Sequence, residues 1–358
     1  MNKRIIGIDV ARALSVIGMI IVNFKIVIGE NGDNWLKNFV HLFDGKSAAT
    51  FVVLAGIGLA LMTNSAVRNQ DQEKLKISRK RIVKRAVFLF VIGLSYISIW
   101  QADILHFYGI YMLLTLLFIT GKSKQVLIGA VVLILIYPFL LLLCNYETGW
   151  NFTMLEYTDF WTFEGFLRNL FYNGFHPIIP WTAFMLVGLW FGRQDLNNKK
   201  FVKKTFLISL FAFMLIQFVS SASILIISEG NSKVIEDLTP ILGTDPMPPM
   251  PIYMLNGIFI ALAVISACII IAGRFENSKI ISALNKTGQL ALTFYVAHVI
   301  IGIGVVETID PSKLGNYSIE FSVGYALIFS LFCSLFAVIW LRHKKSGPLE
   351  WVMRKMTD

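Results

Sequence analysis

Long apolar runs, separated by short connections of alternating charge, constrain this chain more than any other feature of its sequence. Each run is roughly 20 residues long, enough for a helix that crosses the roughly 30 Å hydrocarbon core of a bilayer. Only 15% of the 358 residues are charged, whereas soluble domains carry about 25%. The pattern predicts ten spans, at residues 5–28, 47–63, 82–100, 103–120, 125–144, 176–192, 205–228, 252–272, 287–305 and 320–341.

The charges of the connections alternate in sign along the chain. Connections on one side carry a net charge of +19 and those on the other side −9, and the alternation holds through all ten spans. Because Lys and Arg are enriched in cytoplasmic connections, we expect the basic side, which includes both termini, to be cytoplasmic. The sequence therefore predicts an all-α, polytopic membrane helix bundle of about ten transmembrane helices, forming one domain over residues 1–358.

The composition also narrows the range of sites and partners. Cys144, Cys268 and Cys333 lie singly in or at the ends of apolar segments, so we predict neither a disulfide framework nor a metal site. The overall charge of +10 comes from the basic connections. We therefore expect contact with membrane lipids and no nucleic acid as a partner.

The segment GFHPIIPWTAFMLVGLWFGR, at residues 174–193, puts a titratable group and a fixed cation at the two ends of one predicted span. His176 and Arg193 are separated by about 26 Å at 1.5 Å per helical residue. Pro177 and Pro180 suit the first turn of a helix, where the missing N–H costs little. The simpler interpretation is a span with an interfacial histidine and a snorkelling arginine.

Asp9 and Arg12 lie within the first predicted span, three residues apart and on one helical face. Ionisable side chains within a membrane are costly, which makes each a candidate functional group. The two residues form either an ion pair that satisfies itself or an arginine held by the aspartate to bind a phosphate. The sequence leaves both interpretations open.

Three histidines, His41, His106 and His176, lie at helix starts on the predicted outer side. Histidine is the usual proton carrier near neutral pH. His41 and His106 each have an aspartate three residues away, Asp44 and Asp103, close enough to orient the ring within one helical turn. The alternative is that each histidine hydrogen-bonds a helix end, and periodicity does not show that the three converge.

Several stretches, taken in order, resemble one protein family. They are IDVARALSVIGMIIVN, DGKSAATFVVLAGIGLAL, DILHFYGI, NGFHPIIPWTAFMLVGLWFGR, GQLALTFYVAHV and GPLEW. Over residues 5–351 the chain resembles the bacterial membrane proteins related to heparan-α-glucosaminide N-acetyltransferase, within the transmembrane acyltransferase group. The order of the motifs carries this resemblance, since no single one is strongly specific.

The resemblance implies transfer of an acyl group, usually acetyl, from cytosolic acyl-CoA to a hydroxyl or amine of an extracytoplasmic glycan or lipid-linked sugar. It also implies a location in the plasma membrane of a bacterium, with acetyl-CoA or another acyl-CoA as the donor and no metal. The donor's phosphates need cations on the cytoplasmic side, for which the candidates are Arg12, Arg81, Arg85 and Arg193. A small-solute transporter without acyl-transfer chemistry is the alternative function, and a homodimer is left open.

The resemblance also points to one histidine. In the lysosomal relatives a histidine in the loop after the first span is catalytic, and His41 is the one histidine in that loop here. We therefore rank His41 first as the catalytic base, with Asp44 to orient its ring. His176 ranks second and His106 third.

Overall fold

The computed structural model describes residues 4–32 and 34–358, and these are almost entirely helical. The helices are α1 (Ile6–Ile28), α2 (Asn34–His41), α3 (Lys46–Arg68), α4 (Gln72–Ser95), α5 (Leu105–Thr115), α6 (Ser123–Leu143), α7 (Phe163–Arg168), α8 (Ile178–Gly192), α9 (Lys199–Ser228), α10 (Ser232–Leu242), α11 (Pro251–Arg274), α12 (Lys279–Gln289), α13 (Ala291–Ala297), α14 (Gly304–Ile309), α15 (Ile319–His343) and α16 (Pro348–Thr357). Two short strands, β1 (Trp150–Asn151) and β2 (Glu156–Tyr157), pair antiparallel.

Seven helices among the described residues are long and apolar enough to cross a membrane. The number rises to eight if Phe163–Asn173 and Ile178–Gly192, which are bent by 46° relative to each other, form one broken span. The chain is therefore a multi-pass membrane helix bundle. The two remaining predicted spans correspond to α4, whose first half is strongly charged, and to the short α5 with its 3₁₀ extension Leu116–Phe118.

The spans predicted at 176–192 and 287–305 begin later in the structure than the sequence indicated. The span predicted at 176–192 becomes α8, which starts at Ile178 and has non-helical backbone angles at Ile179. Both His176 and Ile179 precede a proline, and the residue before proline is disfavoured in the helical region. The span predicted at 287–305 begins at Ala291, because the backbone at Leu290 separates α12 from α13.

Local sequence signals set several of the other helix starts. Asp71, Asn198 and Ser318 each accept hydrogen bonds from backbone N–H groups in the first turns of α4, α9 and α15, as N-cap residues do. α11 and α16 each have a proline in the first turn, where its missing N–H costs little.

Small residues allow the central helices to pack closely. A Cβ added to Gly188 of α8 would lie 3.0 Å from the Cα of Gly56 in α3, and a Cβ added to Gly7 of α1 would meet the backbone of Ile269 in α11. Glycine at such contacts lets membrane helices approach backbone to backbone. This pairing places α1, α3, α8 and α11 together at the centre of the bundle.

The connection between α6 and α8 folds over the beginning of α5. The indole N–H of Trp150 donates to the Asn173 carbonyl (2.6 Å), and the Tyr157 hydroxyl donates to the Asn173 side chain (2.7 Å). The ring of Phe160, further along the same connection, meets the ring of His106 edge-on at 6.2 Å between centroids. The connection therefore covers one end of the bundle at His106.

Candidate active site

A cavity of about 400 Å³ opens at the end of the bundle that carries most of the cations, here called the basic end. Its mouth is lined by charged side chains, namely Arg4, Arg12, Arg85, Lys345, Glu350 and Arg354. Its walls are apolar and include Phe51, Leu54, Leu105, Met112 and Leu292. The arrangement suits a ligand with a polyanionic head and a slender apolar arm.

Arg12 lies at this mouth and is held there by Asp9. The guanidinium of Arg12 donates to Asp9 Oδ1 (2.6 Å), while Arg4 donates to Asp9 Oδ2 (2.7 Å). The Asp9 side chain is 5% exposed, whereas that of Arg12 is 28% exposed. The ion pair, one of the two alternatives that the sequence offered, is therefore present, and its arginine lines the cavity mouth. Arg4 and Arg12 also line an adjoining cavity of about 790 Å³ together with Arg68.

The other three predicted phosphate ligands lie in different surroundings. Arg85 lines the 400 Å³ cavity and donates to Asp358 Oδ1 (3.0 Å), which also accepts from Arg81 (2.9 Å). Arg81 does not line that cavity. The guanidinium of Arg193 donates to three backbone carbonyls that end the α5 segment, those of Phe118, Ile119 and Gly121. The structure brings Arg12 and Arg85 together and places Arg193 as a cap on another helix end.

A buried polar cluster lies at the beginning of α5. Asp103 Oδ2 accepts hydrogen bonds from the backbone N and from Nδ1 of His106, both at 3.0 Å. Asp103 Oδ1 accepts from the hydroxyls of Tyr96 (2.5 Å) and Tyr295 (3.2 Å). Nε2 of His106 is buried and has no hydrogen-bond partner within the described part of the chain. With Nδ1 donating to the carboxylate, Nε2 is the nitrogen that can accept a proton.

The apolar wall of the 400 Å³ cavity lies next to this cluster. Leu105, which lines the cavity, immediately precedes His106, and Phe51, another wall residue, stacks on Tyr295 with 6.3 Å between ring centroids. One layer of side chains therefore separates the cavity from the aspartate–histidine pair. Sequence reasoning did not find Tyr96 or Tyr295, because nothing in their spacing shows that both reach Asp103.

Two more histidines lie beside the cluster, the half-buried His176 and the buried His298. His176 meets Trp181 edge-on at 4.6 Å and Phe107 at 6.0 Å between ring centroids, and its carbonyl accepts a hydrogen bond from Tyr111. His298 hydrogen-bonds Asn23 of α1 at 2.8 Å, and its ring lies 5.3 Å from that of Tyr295. His106 and His176 thus both contact the ring of Phe107, a convergence that the sequence did not show.

His41 lies in a separate cluster at the opposite end of the bundle. Its Nδ1 contacts Asp44 Oδ2 at 2.8 Å and its Nε2 contacts Asp245 Oδ1 at 3.0 Å. Only the imidazolium can donate from both nitrogens, so this geometry is that of a protonated histidine. The hydrogen bond from His41 lowers the pKa of Asp245. Lys25 is buried in the same cluster, with its ammonium 2.6 Å from Asp44 Oδ2.

Two features of the site were not predicted from the sequence. Lys345, Glu350 and Arg354 reach the cavity from the C-terminal tail, whose charge had been assigned only to topology. Asp245 reaches His41 from the connection before α11. Among the residues that the structure describes, no group of three or more His, Cys, Asp or Glu side chains could hold a metal ion.

Comparison with known proteins gives two family matches that together cover nearly the whole chain. The family described as "Heparan-alpha-glucosaminide N-acetyltransferase, catalytic" matches residues 4–228, and "Protein of unknown function (DUF418)" matches residues 190–358. The chain is 22% identical to "Uncharacterized protein YxaH" of Bacillus subtilis (strain 168), over 99% of this chain and 94% of the relative. No solved structure matches the chain.

Proposed function

Because the chain belongs to the heparan-α-glucosaminide N-acetyltransferase catalytic family, we propose that it transfers an acyl group from cytosolic acyl-CoA to an extracytoplasmic acceptor. The group is most simply acetyl, and the acceptor is a hydroxyl or amine of a glycan or lipid-linked sugar. One observation carries the proposal. A cavity with a cationic mouth and apolar walls ends one side-chain layer from a buried aspartate–histidine pair.

The cavity accounts for the two chemical halves of the donor. The phosphates of acyl-CoA would lie among Arg4, Arg12, Arg85 and Arg354, which can bind them through planar, bidentate hydrogen bonds. The pantetheine arm would follow the apolar wall past Leu105 toward His106. This path brings the thioester, and not the charged nucleotide, into the interior of the bundle.

His106 is the general base in this proposal, ahead of His176 and His41. Its Nε2 would take the proton of the acceptor hydroxyl or amine as the acceptor oxygen or nitrogen attacks the thioester carbonyl. The carbon–sulfur bond then breaks, and the CoA thiolate takes the proton from the imidazolium. Asp103 orients the ring and stabilises its charged form. His41 would have to give up a proton held by two carboxylates before it could act as a base.

The acceptor would approach from the end of the bundle opposite the cationic mouth. The connection between α6 and α8 covers His106 there, and its side chains Trp161 and Phe163 are more than two-thirds exposed. Such aromatics suit either a membrane-interface belt or stacking against a sugar ring. We assign the connection to acceptor entry because Phe160 touches His106 directly.

The proposed orientation puts the basic end in the cytoplasm of a bacterium, with ten spans, both termini cytoplasmic and residues 1–358 as one domain. The charge of the connections supports this arrangement. A reporter fused after residue 70 should then read cytoplasmic, and one inserted near residue 160 or 235 should read external. An external signal at residue 70 would contradict the orientation.

Donor binding separates acyl transfer from the rival function, transport of a small solute. Acetyl-CoA at 100 times its Kd should stabilise the purified protein by about 2.7 kcal/mol, by mass action. Labelled acetyl groups should then pass from acetyl-CoA to an acceptor in membranes that contain the protein. Stabilisation by an unrelated solute, with none by acetyl-CoA or CoA, would support the transporter instead.

A further inference from the structure

A second groove at the basic end shares Arg4 with the 400 Å³ cavity and lies between the beginnings of α1 and α9 and the end of α11. It encloses about 590 Å³. Its floor is apolar and is formed by Ile5, Ile6, Val202, Ile269 and Ile270. Ile270 is 37% exposed and Val202 is 1% exposed, so the floor is open to the surroundings of the bundle at Ile270 and closed at Val202.

The rim of the groove is cationic. Arg4, Lys199, Lys203 and Arg274 line it with one acidic residue, Glu276, which leaves a net charge of +3. Lys199 and Lys203 are one helical turn apart at the start of α9 and therefore share a face. The cationic rim favours an anionic ligand, and the partial positive charge at the N-terminus of α9 strengthens this preference.

α9 itself stands at the periphery of the bundle. Only 6% of its most apolar stretch of 18 residues is buried inside the bundle. Large side chains such as Leu207, Ile208 and Phe211 are more than half exposed. In a membrane protein such a helix faces lipid. The groove therefore combines a cationic rim at the membrane surface with an apolar floor beside a lipid-facing helix.

We infer that this groove binds an anionic glycerophospholipid. Its phosphate would lie between Lys199, Lys203 and Arg274, and an acyl chain would cover Ile269 and Ile270. Clusters of Lys and Arg beside a membrane helix attract anionic headgroups at about 1 kcal/mol per cation, and burial of the isoleucines adds the hydrophobic term. A free phosphate would satisfy the rim and leave the floor exposed. The inference does not depend on acyl transfer.

The charge of the rim can be tested on the full-length, delipidated protein in detergent. Phosphatidylglycerol should raise the unfolding temperature, whereas phosphatidylcholine and inorganic phosphate should not. Removing two cations with Lys199→Gln and Lys203→Gln should weaken phosphatidylglycerol binding by about 30-fold. The matched control is Lys76→Gln with Lys80→Gln, an exposed pair of the same spacing on α4, which should bind as the wild type does.

Three results would overturn the inference. Equal losses in the two double variants would mean that diffuse surface charge attracts the lipid. Equal stabilisation by phosphatidylcholine would mean ordinary boundary lipid, and equal stabilisation by inorganic phosphate would mean an anion site without an acyl-chain site.

The apolar floor needs a second variant that keeps every charge. Gly273 lines the groove, and a Cβ added to it meets no atom within 4 Å, so Gly273→Phe should fill the groove without moving the backbone. Phosphatidylglycerol should then protect the variant no better than phosphatidylcholine does. Gly324→Phe, at a similarly open position on α15, should retain wild-type binding. Undiminished binding to Gly273→Phe would contradict the placement of the lipid.

Discussion

Two aspartate–histidine pairs of the same spacing lie in opposite surroundings in this molecule. Asp103 and His106 are buried, their side chains being 0% and 1% exposed, and one ring nitrogen of His106 has no partner within the described residues. His41 is 54% exposed, and its two nitrogens contact Asp44 and Asp245. The same i,i+3 pairing thus gives a histidine that can accept a proton and one that already holds it.

The two histidines differ because His41 has a second carboxylate partner, Asp245. Through its contacts with Asp44 and Asp245, His41 joins the connection before α3 to the connection before α11. Lys46 strengthens the same junction by donating to the Thr244 carbonyl at 3.3 Å. A protonated histidine in this position acts as a cross-link between connections, while His106 has the geometry of a base. An aspartate at the right spacing is therefore a poor guide to catalytic function by itself.

Replacing the two histidines should separate these roles most clearly. His106→Asn keeps a hydrogen-bond donor for Asp103 but removes the base, so acyl transfer should fall by about 10²–10⁴. His41→Ala should keep most of the wild-type rate and lower the unfolding temperature. The measurements are transfer of labelled acetyl groups and thermal unfolding, with acetyl-CoA binding as the check that each variant is folded.

The opposite pattern would reverse the assignment. If His41→Ala binds acetyl-CoA but does not transfer the acetyl group, and His106→Asn transfers it normally, the catalytic base is His41, as the family resemblance implied. His176→Ala is the companion variant, because His176 contacts the same aromatic cluster as His106.

A smaller effect, on acyl-CoA affinity, should distinguish Arg12 at the basic end of the bundle from Lys25 at the opposite end. Arg12→Ala should weaken acyl-CoA binding by about 10- to 100-fold, the effect of losing a charged hydrogen bond. Lys25→Ala should leave that affinity unchanged, because Lys25 is buried beside Asp44 at the other end of the bundle. Isothermal titration with CoA measures both, and Arg12→Lys should recover part of the loss. Equal losses of acyl-CoA affinity in Arg12→Ala and Lys25→Ala would mean that Arg12 serves only as the structural ion-pair partner of Asp9.

The smallest expected effect is on stability against pH. The His41 hydrogen bond lowers the pKa of Asp245 from its ordinary value of 3.8. Ionised Asp245 therefore stabilises the fold fully at pH values above 3.8. This contribution is lost as the pH falls through the lowered pKa. At neutral pH Asp245→Asn should cost less than about 1 kcal/mol, since the pair is partly exposed and screened by solvent.

Thermal unfolding over a pH series measures this contribution. The difference between Asp245→Asn and the wild type should shrink on acidification, whereas Asp237→Asn, an exposed acid of α10 in the same connection, should show no such trend. A difference that stays constant to low pH would mean that the His41–Asp245 contact does not depend on charge.

Several parts of the site could be predicted from the sequence because they depend on neighbours along the chain. Asp9 and Arg12 share one helical face, and the structure pairs them at 2.6 Å. His41 and Asp44 likewise meet at 2.8 Å. In both cases the periodicity of a helix fixes the geometry.

Arg193 shows where such reasoning stops. Its position at the end of an apolar run indicated a cation for a phosphate, but its guanidinium caps the carbonyls of Phe118, Ile119 and Gly121. The sequence does not show that the end of α5 lies beside the end of α8. A cation at a membrane surface can bind a phosphate or cap the carbonyls of a helix end. Which of the two it does depends on the helix that packs beside it.

By itself, the sequence determined the multi-pass helical architecture, the segregation of charge to one end, and the local pairs of Asp9 with Arg12 and His41 with Asp44. Apolar run length and helical periodicity are local properties, so they can be recognised in the sequence without tertiary information. Only the tertiary structure brought Tyr96 and Tyr295 to Asp103, Asp245 to His41, and the C-terminal tail to the cavity of about 400 Å³. Those contacts join residues from different helices, and close backbone packing at glycines such as Gly56 and Gly188 sets which helices meet.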